Sequence, residues 1–162
     1  MANNVQMTGM AELAEALKEF PVKLEVQVMA TALRGGAKVV QQQAVQNAPV
    51  DSGDLRDSIK IKRRTNKRTG FINLNVTAGN KKAWYAHIVE FGAKAHIIKP
   101  RSRKSLLVAG ILREIVNHPG ARPSGFMRRA FDQTATGAVE EVARLTRKGI
   151  ERLEWRRDRG RI

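Results

Sequence analysis

Few residues of this chain could do chemistry. Three histidines, His87, His96 and His118, and the carboxylate of Glu90 form the set from which a metal site would be drawn. His87 and Glu90 stand three apart on a predicted helix, and His96 and His118 are free to approach them in space. A hydrolytic zinc ion takes about three such protein ligands. The spacing nevertheless lacks H-E-x-x-H or any comparable pattern, and His118 precedes a Pro-Gly turn, where a turn role is sufficient. Asp51, Asp54 and Asp57 suggest acid–base work, but their spacing places them at a helix start, where carboxylates cap free N–H groups. Ser52 and Ser58 have no histidine nearby in sequence to activate them. Neither a G-x-G-x-x-G nor a G-x-x-x-x-G-K-[ST] phosphate loop is present, and without cysteine there is no thiolate nucleophile, thiolate metal site or disulfide. No catalytic residue, metal or cofactor is therefore assigned.

Charge carries more signal. Thirty Lys and Arg against fifteen Asp and Glu give +15 in 162 residues, with a pI near 11.1. Such an excess opposes compaction and has to meet polyanions or acidic protein surfaces. Lys60, Lys62, Arg63, Arg64, Lys67 and Arg68 crowd one segment, Lys99, Arg101, Arg103 and Lys104 a second, and Arg152, Arg156, Arg157, Arg159 and Arg161 the C-terminal end. The residues expected to touch DNA or an acidic partner are Lys62, Arg63, Arg64, Lys67, Arg68, Arg101, Arg103 and Lys104. Aromatics make up 5% of the chain and none interleaves with the basic loops, so base-specific reading is not expected. Backbone-phosphate contact and contact with an acidic neighbour stand as equal readings.

The elements that would position these residues follow from periodicity. Met10, Leu13, Leu17 and Phe20 mark a short amphipathic helix stopped by Pro21, and a longer helix is expected from Val22 to Gln46 with a stripe of Leu24, Val28, Ala32, Gly36, Val40 and Ala44. Gly35 and Gly36 each cost about 1 kcal/mol in a helix interior. They imply close approach of another backbone, in this fold or from a neighbouring subunit, or else a slight kink. Pro49 ends the helix, and Asp51 reads as the N-cap of a short turn leading to Ser58. Ile59 and Ile61, then Ile72, Leu74 and Val76, alternate as a β-hairpin around the basic loop from Arg63 to Gly70. Tyr85, Ile88 and Val89 share a helical face closed by Gly92 in a left-handed stop. Glu90 in that last turn opposes the helix dipole, and Arg56 is its expected partner. Short strands are expected at Ala95–Lys99, Ser105–Ala109 and Ile111–Val116, followed by a turn at His118-Pro119-Gly120. Pro123-Ser124 should open a last helix that carries Phe131, Ala135, Ala138, Val142, Leu145 and Leu153 on one side and runs to about Trp155. The fold class is α+β, a small antiparallel sheet with hairpins against a long N-terminal and a long C-terminal helix. It forms one domain over 1–155, with a frayed basic tail at 156–162. No apolar run is long enough to span a bilayer, and no apolar core of a secretory signal is seen, so the chain reads as soluble.

Three segments, A-P-V-D-S-G-D-L-R-D-S-I at Ala48 to Ile59, Y-A-H-I-V-E-F-G at Tyr85 to Gly92, and H-P-G-A-R-P-S-G-F-M-R-R-A-F at His118 to Phe131, occur in that order. Together they resemble the tail-component (neck and tail-completion) family of tailed bacteriophages and prophages over roughly Met10 to Asp132. The motif positions are Pro49, Asp51, Gly53, Leu55, Arg56, Tyr85, Glu90 and Gly92. The chain departs from the pattern where Pro123-Ser124-Gly125-Phe126 replaces a Pro-Phe pair, and the stretch Lys99 to Val116 is longer, as in related virion-morphogenesis proteins with an extra hairpin. The resemblance implies a non-catalytic virion protein, assembled in the host cytoplasm and placed at the head–tail junction. Its partners would be copies of itself in a ring (a hexamer in preference to a dodecamer), the head connector or head-closure protein, and the tail terminator or tail tube. Packaged double-stranded DNA would be touched non-specifically, and no membrane is involved. The +15 charge sustains an alternative, a non-specific nucleic-acid-binding monomer or dimer.

Overall fold

The computed structural model describes residues 9–18, 20, 22–66, 71–100, 105–108 and 110–160. Two long helices set the architecture, α2 (Val22–Asn47) and α5 (Phe126–Asp158), with α1 (Met10–Lys18) preceding them. They run antiparallel. Asn47 at the end of α2 donates to Gln133 near the start of α5 at 2.9 Å, while Gly149, late in α5, lies against Val28 near the start of α2. The seam is built from small residues: Ala32, Gly36 and Ala44 on one helix, Ala130 and Ala135 on the other, are all buried. A Cβ on Gly36 would stand 2.7 Å from the Ala138 carbonyl oxygen and 2.6 Å from Val142 Cγ2, and one on Gly35 would meet Leu145 Cδ1. The paired glycines thus serve close approach within the fold, to α5.

α1 lies across the far end of this pair, where Leu17 and Phe20 form a cluster with Ile150 and Leu153. The Arg157 guanidinium stands 5.5 Å from the Phe20 ring centroid. At the other end are α3 (Asp54–Asp57), β1 (Lys60–Thr65), β2 (Ile72–Thr77) and α4 (Ala86–Phe91). There Ala44, Ala48, Leu55, Ile59, Ala83, Ala86, Phe126 and Ala130 make the main core. β1 and β2 pair antiparallel from Lys60↔Thr77 to Thr65↔Ile72, as the alternation predicts. Beyond α4 come β3 (His96–Ile98), β4 (Leu106–Val108), β5 (Ile111–Arg113) and β6 (Val116–His118), with β3 on β6 and β4 on β5. The two ladders are nested, so the chain runs out through β3 and β4, turns at Gly110 (φ 81°) and returns: an arm with its base at the Ala93–Ala121 bridge. The class is α+β, as expected. Among the described residues no helix is long and apolar enough to cross a membrane.

Several local expectations are corrected. Ile111–Val116 is not one strand: β5 ends at Arg113 and β6 begins at Val116, because the two pair with different partners, β4 and β3, and residues 114–115 pass from one ladder to the other. α5 begins at Phe126, after Gly125 at φ 60°. Pro123-Ser124 does not open it, since the Ser124 N–H is given to the Val89 carbonyl at 2.8 Å. α5 also continues past Trp155, so Arg156 and Arg157 are helical. Phe131 is 58% exposed, while Thr146 and Ile150 occupy buried positions on the same helix. Phe126 and Ala130 occupy the buried face one turn apart, which leaves Phe131 on the neighbouring exposed face, and the Thr146 hydroxyl is satisfied by the Val142 carbonyl at 2.8 Å. Pro21 lies outside the described residues.

Candidate interaction surfaces

The first motif folds as a connector. Ala48 closes α2 by donating to the Ala44 carbonyl at 3.0 Å, and Arg56 Nε reaches back to the Ala48 carbonyl at 3.2 Å. A cation is thereby fixed at the negative end of α2. Pro49 and Asp51 are exposed and Leu55 is buried. Asp51 is not the N-cap. Gly53 holds that position at φ 88° without a side-chain bond, so the left-handed residue makes the turn and α3 starts later than expected. Ser52 Oγ instead donates to Asp54 Oδ2 at 2.8 Å. Ser58 is buried, donates to the Leu55 carbonyl at 2.6 Å and accepts from Gly79 N–H at 3.0 Å, so its hydroxyl is engaged in the fold.

The second motif meets the first. Val50, Asp51 and Leu55 share a hollow of about 250 Å³ with Tyr85 and Val89 of the second. That volume falls below the roughly 300–1,000 Å³ of small-molecule sites. Glu90 then joins the second motif to the third. Its Oε2 accepts from Met127 N–H at 2.8 Å and its Oε1 from Arg128 N–H at 3.0 Å, and its carbonyl accepts from Gly125 N–H at 3.1 Å. Glu90 is therefore a cap supplied from α4 to α5, and among the described residues no ion pair joins it to Arg56. A carboxylate that opposes one helix dipole is placed on the positive end of another. Gly92 stops α4 at φ 76° and ψ −177°, which is positive φ but not the left-handed helical region. A Cβ there would lie 2.6 Å from the Ala121 carbonyl oxygen.

The histidines do not converge. His96 and His118 stack across the β3–β6 pair with ring centroids 5.0 Å apart, and Nδ1 of His118 accepts from Gly120 N–H at 3.0 Å. His87, on α4, is bonded through Nδ1 to the Trp84 carbonyl at 3.0 Å. No group of three or more His, Asp or Glu suited to a metal ion occurs among the described residues.

The basic candidates divide by strand alternation. Lys62 and Arg64 share a face with Lys60, opposite Asn75, Asn73 and Thr77 on β2. Arg63 points to the other side, where it lines a hollow of about 290 Å³ with Arg34 and Thr31 of α2. Lys67, Arg68, Arg101, Arg103 and Lys104 lie outside the described residues. Sequence reasoning missed three polar ties. Gln41 Nε2 donates to the Ile59 carbonyl at 2.8 Å, Gln43 Nε2 donates to Asn47 Oδ1 at 3.1 Å, and Asn80 Oδ1 accepts from Lys82 and Ala83 N–H at 2.8 Å each. Of these, only Asn80, a residue type that bonds the backbone two residues on, carried a turn signal.

Apolar groups remain outside the core. On α4 and the turn before it, Trp84 is 66% and Phe91 78% exposed, with the exposed His87 between them. On the arm, Leu107 and Leu112 form a cross-strand pair at 71% and 69% exposure. The model of the HK97-gp10-like family, a family of bacteriophage tail components, matches residues 11–92, just over half of the chain. Searches of curated proteins and of solved structures gave no match.

Proposed function

Because the chain belongs to the HK97-gp10-like family of bacteriophage tail components, we propose that it is a ring-forming subunit of the head–tail junction. In this reading it joins the tail tube or its terminator to the head connector around the DNA path. As a tail component it is a structural part of the virion; the ring, the junction and the partners are the proposal. The observation that carries it is the distribution of apolar side chains. Trp84, Phe91, Leu107 and Leu112 are exposed, while among the described residues seven of the fourteen buried hydrophobic ones are alanines. The small core leaves large groups for neighbours to cover, and aromatic anchors of this kind dominate protein interfaces. The face of Lys60, Lys62 and Arg64 supplies a cationic surface for DNA or for an acidic neighbouring ring.

Light scattering on the purified protein at high salt tests the ring, and a closed assembly of fixed mass is expected. Virions from a deletion strain test the junction: heads and tails should accumulate unjoined. Normal joining without the protein overturns the placement. The cationic face also favours a second reading, a monomeric or dimeric non-specific nucleic-acid binder. A persistent monomer whose DNA affinity falls steeply with salt would establish that reading instead.

A further inference from the structure

β2 is paired on one side only. No described strand occupies its other edge, which opens into a groove of about 720 Å³ between the two long helices and the hairpin. Val40 of α2, Leu74 and Val76 of β2, and Met127, Phe131 and Val142 of α5 are among the lining residues, and no side chain lining it is ionisable. In a chain of +15, such a neutral surface is unusual. Phe131, 58% exposed, stands in this groove.

The arm presents the opposite shape. Ile97, Leu107, Ile111, Leu112 and Ile115 are 52–71% exposed, and among the described residues none of the arm's strands packs extensively on α2, β2 or α5. Two-stranded ladders standing alone are marginal in water. Their open edges also invite pairing with another strand edge.

We infer that the arm of one copy docks in the groove of the next, its apolar tip covering Phe131 and a strand edge pairing with the free edge of β2. An acidic partner would find no cation in the groove to pair with, whereas a second copy of this chain brings apolar side chains. With roughly 100 Å² from each of the five arm residues and a matching area of groove, the contact reaches about 1,000 Å², the size from which specific interfaces begin. Tip and groove are different surfaces, so the contact is heterologous and propagates from copy to copy until a ring closes. This deepens the ring reading and rests on it.

The absence of cysteine makes the test clean. Leu112→Cys and Phe131→Cys are made separately, mixed and oxidised mildly. A disulfide-linked heterodimer is expected, together with a ladder up to the full ring from the double variant. Trp84→Cys mixed with Leu112→Cys should give no comparable product. Leu107→Asp with Leu112→Asp should abolish the assembly while leaving the helix content of the subunit unchanged, because neither leucine belongs to the two core clusters that hold the helices. An intact assembly that gives no Leu112–Phe131 cross-link, or mainly Leu112–Leu112 links, overturns the arm-in-groove contact and leaves the ring standing. A chain that stays monomeric and uncross-linked overturns both.

Discussion

Glu90 shows how a single side chain can join two segments that read separately in sequence. Its position in the last turn of α4 signals a partner, but the partner is a pair of backbone N–H groups on α5, visible only once the fold brings the helices together. Glu90→Ala should cost about 1–2 kcal/mol in denaturant unfolding, the range for a lost N-cap, and Glu90→Gln should cost less because one carboxyl oxygen acceptor is kept. A double-mutant cycle with Arg56→Ala should give coupling below about 0.5 kcal/mol, since the two side chains serve different helix ends. On the exposed face of α5, the hydrogen bond from Arg144 holds the Glu141 carboxyl below the ordinary glutamate range. A lowered carboxylate pKa contributes stability that is complete above the unfolded-state value and fades as pH falls through the folded one. NMR titration of Arg144→Ala should therefore show the Glu141 pKa rising back toward the ordinary value.

Among the elements, the helix pair was legible and its purpose was not fully so. The four-residue stripe from Leu24 to Ala44 predicts α2 to within a residue, and the alternation of Ile61, Leu74 and Val76 predicts the hairpin. Gly35 and Gly36 left two readings open because a sequence does not say what approaches a helix. Packing decides it, and glycines in the same fold behave oppositely. Gly36→Ala gains about 1 kcal/mol in helix propensity, yet its Cβ would press on the Ala138 carbonyl. Overpacking of that kind costs about 1–3 kcal/mol, so a lower midpoint in urea is expected. Gly137→Ala, with nothing within 4 Å of the added carbon, should stabilise the fold by up to about 1 kcal/mol and raise the midpoint. The arm was harder to read. Its strands are three residues long, too short for period two to locate their ends, and the nesting of one ladder inside another is a long-range fact.

For the whole molecule, charge and composition pointed to partners without saying where each would sit. The cationic strand face could be read from the alternation of Lys60, Lys62 and Arg64, but the groove beside β2 could not, because its residues come from three separated segments. Replacing those three basic residues by Gln should lower the salt slope of any DNA binding by about 0.9 for each phosphate no longer neutralised. An unchanged slope would assign the face to protein neighbours instead. The Glu90 cap has one more consequence. The family match ends at residue 92, yet the carboxylate two residues earlier is bonded to a helix that begins at Phe126. A fragment of residues 11–92 would leave that carboxylate without its donors and expose the Ala32–Gly36–Ala44 seam to water. Expressed alone, it should be molten or aggregated, with exchange-labile amides throughout α2. The stretch that the family model matches is thus expected to depend for its folding on a helix that lies outside it.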